Sequence, residues 1–445
     1  MEKTKRNKLL DITFDNPNDI TFDSEVEAHA ENQEDEKSGK SASSGKNTGK
    51  GVLLQFFAIA TIPLVMVLGN SMLVPILPQL ERELGVSQFQ SSLVITLFSV
   101  TAGLFIPIAG YMSDRFSRKA IIIPSLIVYG AAGVLAGFGA VWNSYTILII
   151  ARAIQGLGAA GTAPIAMALV GDLYSGGTES KALGLTEASN GTGKVLSPIL
   201  GSLLALIVWY AAFFAFPLFC VISLLCVMFL IKEPKKDKKP PTLKEYLHQI
   251  GAIFHKHGKW LIPAFFAGSL ALFILFGVLF YLSDILEKEP YTIDGVLKGV
   301  ILAIPLLGLV ATSYTTGSKI KKNGVLMRRL MLIGLVMMSV SLLLTIFFMR
   351  NIYVFIGLLT LSSVGTGLLV PCLNTMITGC VKKAQRGMIT SLYSSLRFLG
   401  VAAGPPLFGW MMEKSEKWIF ISVSILSSFT LALVFFLIKP DKKVS

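Results

Sequence analysis

Apolar stretches long enough to cross about 30 Å of hydrocarbon as helices recur along this chain, separated by short polar turns. They lie near 53–77, 91–112, 120–140, 145–170, 181–206 and 208–231, and again near 260–284, 294–317, 326–348, 352–376, 387–412 and 417–438. The pattern predicts an all-α membrane protein of about twelve transmembrane helices. Two polar stretches interrupt it. Residues 1–50 are rich in Asp, Glu, Lys, Ser and Gly and repeat DITFD at 11–15 and 19–23, which predicts a disordered tail. Residues 233–258 begin in a Lys- and Pro-rich run and continue as TLKEYLHQIGAIFHKHGK, which predicts a central loop carrying a short amphipathic helix. The chain therefore divides into a tail (1–50), a first bundle of six spans (51–232), the central loop (233–258), a second bundle (259–438) and a short tail (439–445). No apolar core with a cleavage site precedes the first span, which is expected to direct insertion itself.

Composition agrees with that division. Hydrophobic residues make up 53% and charged residues 15%, which excludes an ordinary water-soluble globule. The net charge of +13 gathers in alternate turns. Arg115, Arg118 and Lys119 sit between spans two and three, Lys319, Lys321, Lys322, Arg328 and Arg329 around the junction of spans eight and nine, and Lys382, Lys383 and Arg386 before span eleven. Opposite turns, such as Glu81-Arg82-Glu83 and Glu287-Lys288-Glu289, are balanced or acidic. Basic turns stay cytoplasmic, so both termini are expected in the cytoplasm of a multi-pass plasma-membrane protein. The charge then sets orientation and implies no nucleic-acid partner.

The two groups of spans are relatives. Gly110 and Gly317, Gly158 and Gly365, Pro164 and Pro371, Gly193 and Gly400, and Ser202 and Gly409 all share one offset (365 − 158 = 207). A constant offset across spans two, four and five implies two six-helix pseudo-repeats about an axis along the membrane normal. A substrate cavity at the midplane and alternating access by rocking follow from that arrangement.

Span five is the most polar of the set. Glu187 and Lys194 are seven residues apart, nearly on one helix face, with Asn190 close to it. Arg397 of span eleven stands at the repeat position of Asn190, and Arg152 lies about two turns inside span four, where it is expected to face the cavity. Arg152, Lys194 and Arg397 against Glu187 leave the interior positive, which favours anionic or zwitterionic solutes. Burial raises the pKa of a carboxyl group and neighbouring cations lower it, so Glu187 is the candidate proton carrier. Asp284, expected to meet water near the end of span seven, is the weaker one.

Other chemistries are excluded. Gly156-Leu157-Gly158-Ala159-Ala160-Gly161 fits a dinucleotide fingerprint but lies inside an apolar helix rather than after a strand. Gly191-Thr192-Gly193-Lys194 lacks the leading glycine and the trailing hydroxyl of a phosphate loop. His255 and His257 have no companion ligands, the four cysteines show no metal spacing, and no catalytic constellation is present. The reading is a transporter without metal or cofactor, driven by a proton gradient, with small molecules, protons and the bilayer as partners. One chain supplies both bundles, so a monomer is expected.

Three motifs resemble those of the major facilitator superfamily, and within it the twelve-span drug:proton antiporters, over residues 51–438. Gly110-Tyr111-Met112-Ser113-Asp114-Arg115-Phe116-Ser117-Arg118-Lys119 is similar to the family's G-x-x-x-D-R-x-G-R-K loop, with Ser117 in place of its second glycine. Arg152-Ala153-Ile154-Gln155-Gly156-Leu157-Gly158 is similar to the R-x-x-Q-G-x-G segment. Gly184, Gly193, Ser197, Pro198, Gly201 and Ser202 follow the antiporter signature G-x8-G-x3-G-P-x2-G-G, with serine at two glycine positions. The resemblance implies the major facilitator fold and proton-coupled efflux of small amphipathic compounds. It also implies a role for Arg152 and Gln155 in proton coupling or the cavity, and close helix packing by the span-five motif. Asp114 and Arg115, at a tight helix end with Gly110, Arg118 and Lys119, are expected to form a charge network that gates the two bundles. Span one of many such exporters carries an acid that attracts cations, whereas the corresponding position here is Asn70. Export of a specific endogenous metabolite such as a siderophore, or uptake by a symporter of the same fold, are the alternatives.

Overall fold

In a computed structural model, residues 49–174, 176–233, 242–320, 323–381 and 385–439 are described. Among them the architecture is all-helical, with twelve crossing elements. Span one is Gly49–Ser71 continued by a tight turn, Val74–Ile76, and a short helix, Leu77–Leu84. Span two is Gln88–Arg115, span three Arg118–Val141, and span four Tyr145–Ala160 plus Ala163–Leu173. Span five is Gly176–Ala205 and span six Ala211–Leu230. The second half follows as Leu243–Glu287, Gly295–Ile320, Gly324–Phe348, Ile352–Gly379, Arg386–Met412 and Glu416–Leu437. Among the described residues, ten spans hold an 18-residue stretch apolar enough to cross a membrane by composition. The two that fall short are five and eleven, the repeat partners that carry Lys194 and Arg397.

Breaks and fusions follow from local chemistry. Pro75 and Pro78 lack the N–H donors that would continue span one, and span four is interrupted at Gly161 and Thr162 just before Pro164. Span one was expected to end at 77, yet its final helix runs to Leu84 and stops at Gly85, whose φ of 62° suits glycine. The largest departure is span seven. The loop expected at 233–258 gives way from Leu243 onward to one 45-residue helix that continues to Glu287. Thr242 and Glu245 form a capping box at its start, and no proline interrupts it before Pro263, so the amphipathic segment and the apolar span propagate as one helix. Residues 1–48, 234–241 and 440–445, which hold most of both tails and the basic run, lie outside the described residues, as do Lys321, Lys322, Lys382 and Lys383.

The constant offset reappears as matched contacts. A Cβ on Gly158 would fall 2.6 Å from the Tyr129 backbone nitrogen in span three, and one on Gly365 would meet the Gly334 carbonyl in span nine. Gly193 faces Leu64 and Val67 of span one, and Gly400 faces the Ser269 backbone of span seven. Small residues at these crossings let helix backbones approach, which is how membrane helices gain packing energy. The pseudo-repeat thus sets which helix touches which.

The halves meet along two seams, span two against span eleven and span five against span eight. Let the base be the end holding Gly49 and Lys439, and the crown the opposite end. At the crown both seams are closed. Thr96 donates to the Ala402 carbonyl at 2.8 Å, and a Cβ on Gly299 would fall 2.5 Å from the Pro198 carbonyl oxygen. Midway, Gly103 adjoins Ser395 and Leu399, and Gly191 adjoins Val310. At the base the seams differ: Gly110 abuts the Ser391 hydroxyl, whereas a Cβ on Gly184 or Gly317 would meet nothing within 4 Å.

Candidate transport site and gates

Spans five and eleven bring the predicted cavity residues together. Lys194 and Arg397 come from opposite halves, are both half-buried, and lie within electrostatic reach of each other. Arg397 stacks over the Tyr393 ring with its Cζ 5.4 Å from the centroid. Its Nε and the Asn190 Oδ1 are buried without a hydrogen-bond partner. Glu187 also acts on Lys194 through space, but no ion pair within 4 Å joins them among the described residues. Arg397 thus keeps an unfilled donor within electrostatic reach of Lys194, and buried charge is stable only when paired or hydrogen-bonded. Glu187, expected deep in span five, is not so placed. It is exposed on the stretch of span five beside Gly184, where the seam stands open.

Arg152 departs from its expected orientation. It is fully buried within the first bundle and closed off from the space between the halves. Its Nε donates to the Val94 carbonyl at 2.8 Å, one terminal nitrogen donates to Gly69 O at 3.3 Å and to Gln155 Oε1, and the other donates to Asn70 Oδ1 at 3.1 Å. The Phe98 ring lies 4.5 Å beneath the guanidinium. Neutral acceptors and a ring face thus hold the charge, with no carboxylate within 4 Å among the described residues. Asn70 therefore binds this arginine in place of the cation-attracting acid.

At the base, the loop between spans two and three builds a charge cluster around a different arginine from the one expected. Arg118 is buried, pairs with Asp114 at 2.6 Å and with Asp172 at 2.8 Å, and donates to the Ser113 hydroxyl at 2.7 Å. Arg115 is exposed and donates to the Tyr111 hydroxyl at 3.1 Å. Arg118, first after the Ser117 cap of span three, turns inward, while Arg115, the last residue of span two, points out. Lys119 donates to the Met228 and Ile231 carbonyls at the end of span six, and Glu233 accepts from the Ser117 hydroxyl and from the Arg118 and Lys119 backbone N–H groups. Lysine on a helix C-terminus and glutamate on a helix N-terminus both complement the helix dipole. These ties lie within the first bundle. Across the seam, a Cβ on Gly387 would come 4.0 Å from Asp114, and Tyr111 meets Tyr246 of span seven edge-on.

The span-five motif packs on both neighbours. Gly193 and Gly201 sit against span one, Ser197 donates to the Gly193 carbonyl, and Pro198 with Ser202 receives Gly299 of span eight. Gly184 has no such neighbour. Sequence reading missed a cluster at the crown, Arg82, Glu287 and Lys298. The available signal was a lysine one turn inside an apolar span, with a glutamate eleven residues before it. Asp284, expected in water, is buried and pairs with Lys288 at 2.6 Å.

The Major Facilitator Superfamily model matches residues 59–327 and 288–445. The chain is 43% identical to the "Bacillibactin exporter" of Bacillus subtilis (strain 168) over 389 residues, 86% of this chain and 96% of that protein. It is 25% identical to the "Tetracycline resistance protein, class C" of Escherichia coli, over 76% of this chain and 84% of that one. Among solved structures, the human organic anion transporter MFSD10 (TETRAN) shares the fold with a TM-score of 0.69 at 19% identity, covering 86% of this chain and 99% of its own. The protein is a multi-pass membrane transporter, of a class that moves solutes rather than transforming them. It belongs to the Major Facilitator Superfamily.

Proposed function

We propose that this chain is a proton-coupled exporter of small amphipathic organic anions that works by alternating access in the plasma membrane. The observation that carries the reading is the pair of cations Lys194 and Arg397, contributed by opposite halves, within electrostatic reach of each other and without a carboxylate within 4 Å among the described residues. An anion bridging them couples binding to approach of the bundles, since each half supplies one charge. Basic turns place the base, and with it both termini, in the cytoplasm. Residues 51–232 and 259–438 are then the moving bundles, joined through 233–258 and flanked by the tails 1–50 and 439–445. The open base of the five–eight seam is the entry route, and Glu187 on that route exchanges protons as its surroundings change between states.

A dedicated metabolite is favoured over general drug efflux by one comparison. Similarity to the bacillibactin exporter is higher and covers more of both chains than similarity to the tetracycline protein. The substrate is accordingly bacillibactin or an anionic metabolite of similar chemistry, such as another siderophore.

The test is compound-triggered proton release from inverted membrane vesicles, using bacillibactin and matched anionic, zwitterionic and cationic amphiphiles. Anion-triggered release that is lost in Lys194→Ala and in Glu187→Gln is the expected result. Release triggered by cations and unaltered by Lys194→Ala contradicts the anion reading.

A further inference from the structure

Span one breaks near the crown because Pro75 and Pro78 interrupt its hydrogen-bond ladder. The Val74 carbonyl is one casualty, since Pro78, four residues on, has no N–H to return to it. The second bundle supplies what is missing. Ser283 of span seven donates to the Val74 carbonyl at 2.8 Å, and Lys298 of span eight donates to the Pro75 carbonyl at 2.6 Å. Lys298 also bonds Glu287 at 2.7 Å, and the second oxygen of Glu287 accepts from Arg82, back on the first bundle.

The arrangement is a closed circuit across the two halves. It runs from the backbone of span one to Lys298, on to Glu287, and back through Arg82 to the short helix that follows the break. Lys298 is 1% exposed, so its charge is tolerable only while these partners are in place. Among the described residues, the hydrogen bonds and ion pairs of the neighbouring acids Glu81 and Asp284 stay within one half. Glu81 accepts from Ser91 within the first bundle, and Asp284 pairs with Lys288 within the second.

We propose that Lys298, Glu287, Arg82 and Ser283 are the outer lock of the transport cycle, anchored on the backbone acceptors that the double-proline break exposes. The lock holds the crown shut while the base is open, and its release is the step that lets the crown part. It differs from a simple ion pair because one of its anchors is a main-chain carbonyl, which only a donor at position 298 can use. The inference rests on alternating access, with the crown facing outward, and is independent of the anion site.

Spin-label distances across the crown test it. Labels go on Glu83→Cys and Lys417→Cys, both exposed and outside the lock, in nanodiscs, with the four native cysteines replaced by alanine and no transported compound added. The intact lock gives a predominantly short crown distance. Lys298→Met and Glu287→Gln are expected to raise the ratio of crown-open to crown-closed molecules about tenfold. Arg82→Gln, an exposed change that leaves folding undisturbed, gives a smaller rise in the same direction, and Lys298→Arg keeps the lock. The exchange Glu287→Lys with Lys298→Glu is expected to leave the crown open, because glutamate cannot donate to Pro75 and lysine at 287 faces Arg82. Should Lys298→Met fail to insert, Glu287→Gln and Arg82→Gln decide. Unchanged distances in these variants, or full closure in the exchanged pair, would overturn the lock. A chain that shows one crown distance in all variants, with and without bacillibactin, would instead remove alternating access itself.

Discussion

The two seams between the halves are repeat equivalents, yet they differ at the base. Span two meets span eleven along its whole length, down to Gly110 against Ser391, while the equivalent glycines of spans five and eight, Gly184 and Gly317, face open space. Both seams are shut at the crown. The halves are therefore hinged on one seam and parted on the other. The parted seam carries the charged helix, with exposed Glu187 leading toward half-buried Lys194. Opening and charge coincide on one side of a nearly symmetric molecule, the side proposed above as the entry route.

The largest effect that would break this comparison comes from filling the closed end of the open seam. Gly299→Leu has no room beside Pro198, and overpacking costs about 1–3 kcal/mol, so export should fall more than about tenfold by that energy scale while the protein still reaches the membrane. Gly184→Leu meets nothing in this base-open state and should lower export less, through its bulk in the base-closed state alone, in the same vesicle assay. Equal losses from both would mean that the seam is not open at the base.

A second contrast concerns the two arginines of the basal loop. Arg118→Gln removes the ion pairs to Asp114 and Asp172, and since Asp172 is partly solvated the loss should be about 1–3 kcal/mol, seen as a lower Tm of the purified protein. Arg115→Gln removes one exposed contact and should change stability by less than about 0.5 kcal/mol. The smallest effect belongs to the closed seam. Ser391→Ala keeps the contact with Gly110 and only thins it, so export should change by less than about twofold, within ±0.5 kcal/mol.

Much of the fold was legible because a membrane restricts the choices. With no water to satisfy backbone groups, long apolar runs become helices, and a constant glycine offset specifies two related bundles. The polarity of span five was equally plain. What escaped sequence reading depended on which side of a helix meets which neighbour. Arg152 was expected in the cavity because an arginine facing lipid is prohibitive, but acceptors on Val94, Gly69, Asn70 and Gln155 offered a third environment inside one bundle. Arg115 and Arg118 are three residues apart across a helix break, and only the capped geometry of span three turns Arg118 inward. Glu287 was read as a turn residue and Lys298 was not singled out, because their partners, Arg82 and Pro75, lie more than two hundred positions away.

The central claim is that Lys194 and Arg397 hold an organic anion between the halves, and equilibrium binding to the purified protein in nanodiscs tests it most directly. Bacillibactin and a matched cationic amphiphile would be titrated against the parent chain, Lys194→Met, Arg397→Met and the double variant. The account predicts that each single change weakens anion binding about tenfold, near 1.4 kcal/mol, that the double variant loses less than the two losses combined, and that the cation binds no more weakly. Anion affinity unchanged in both single variants would contradict it.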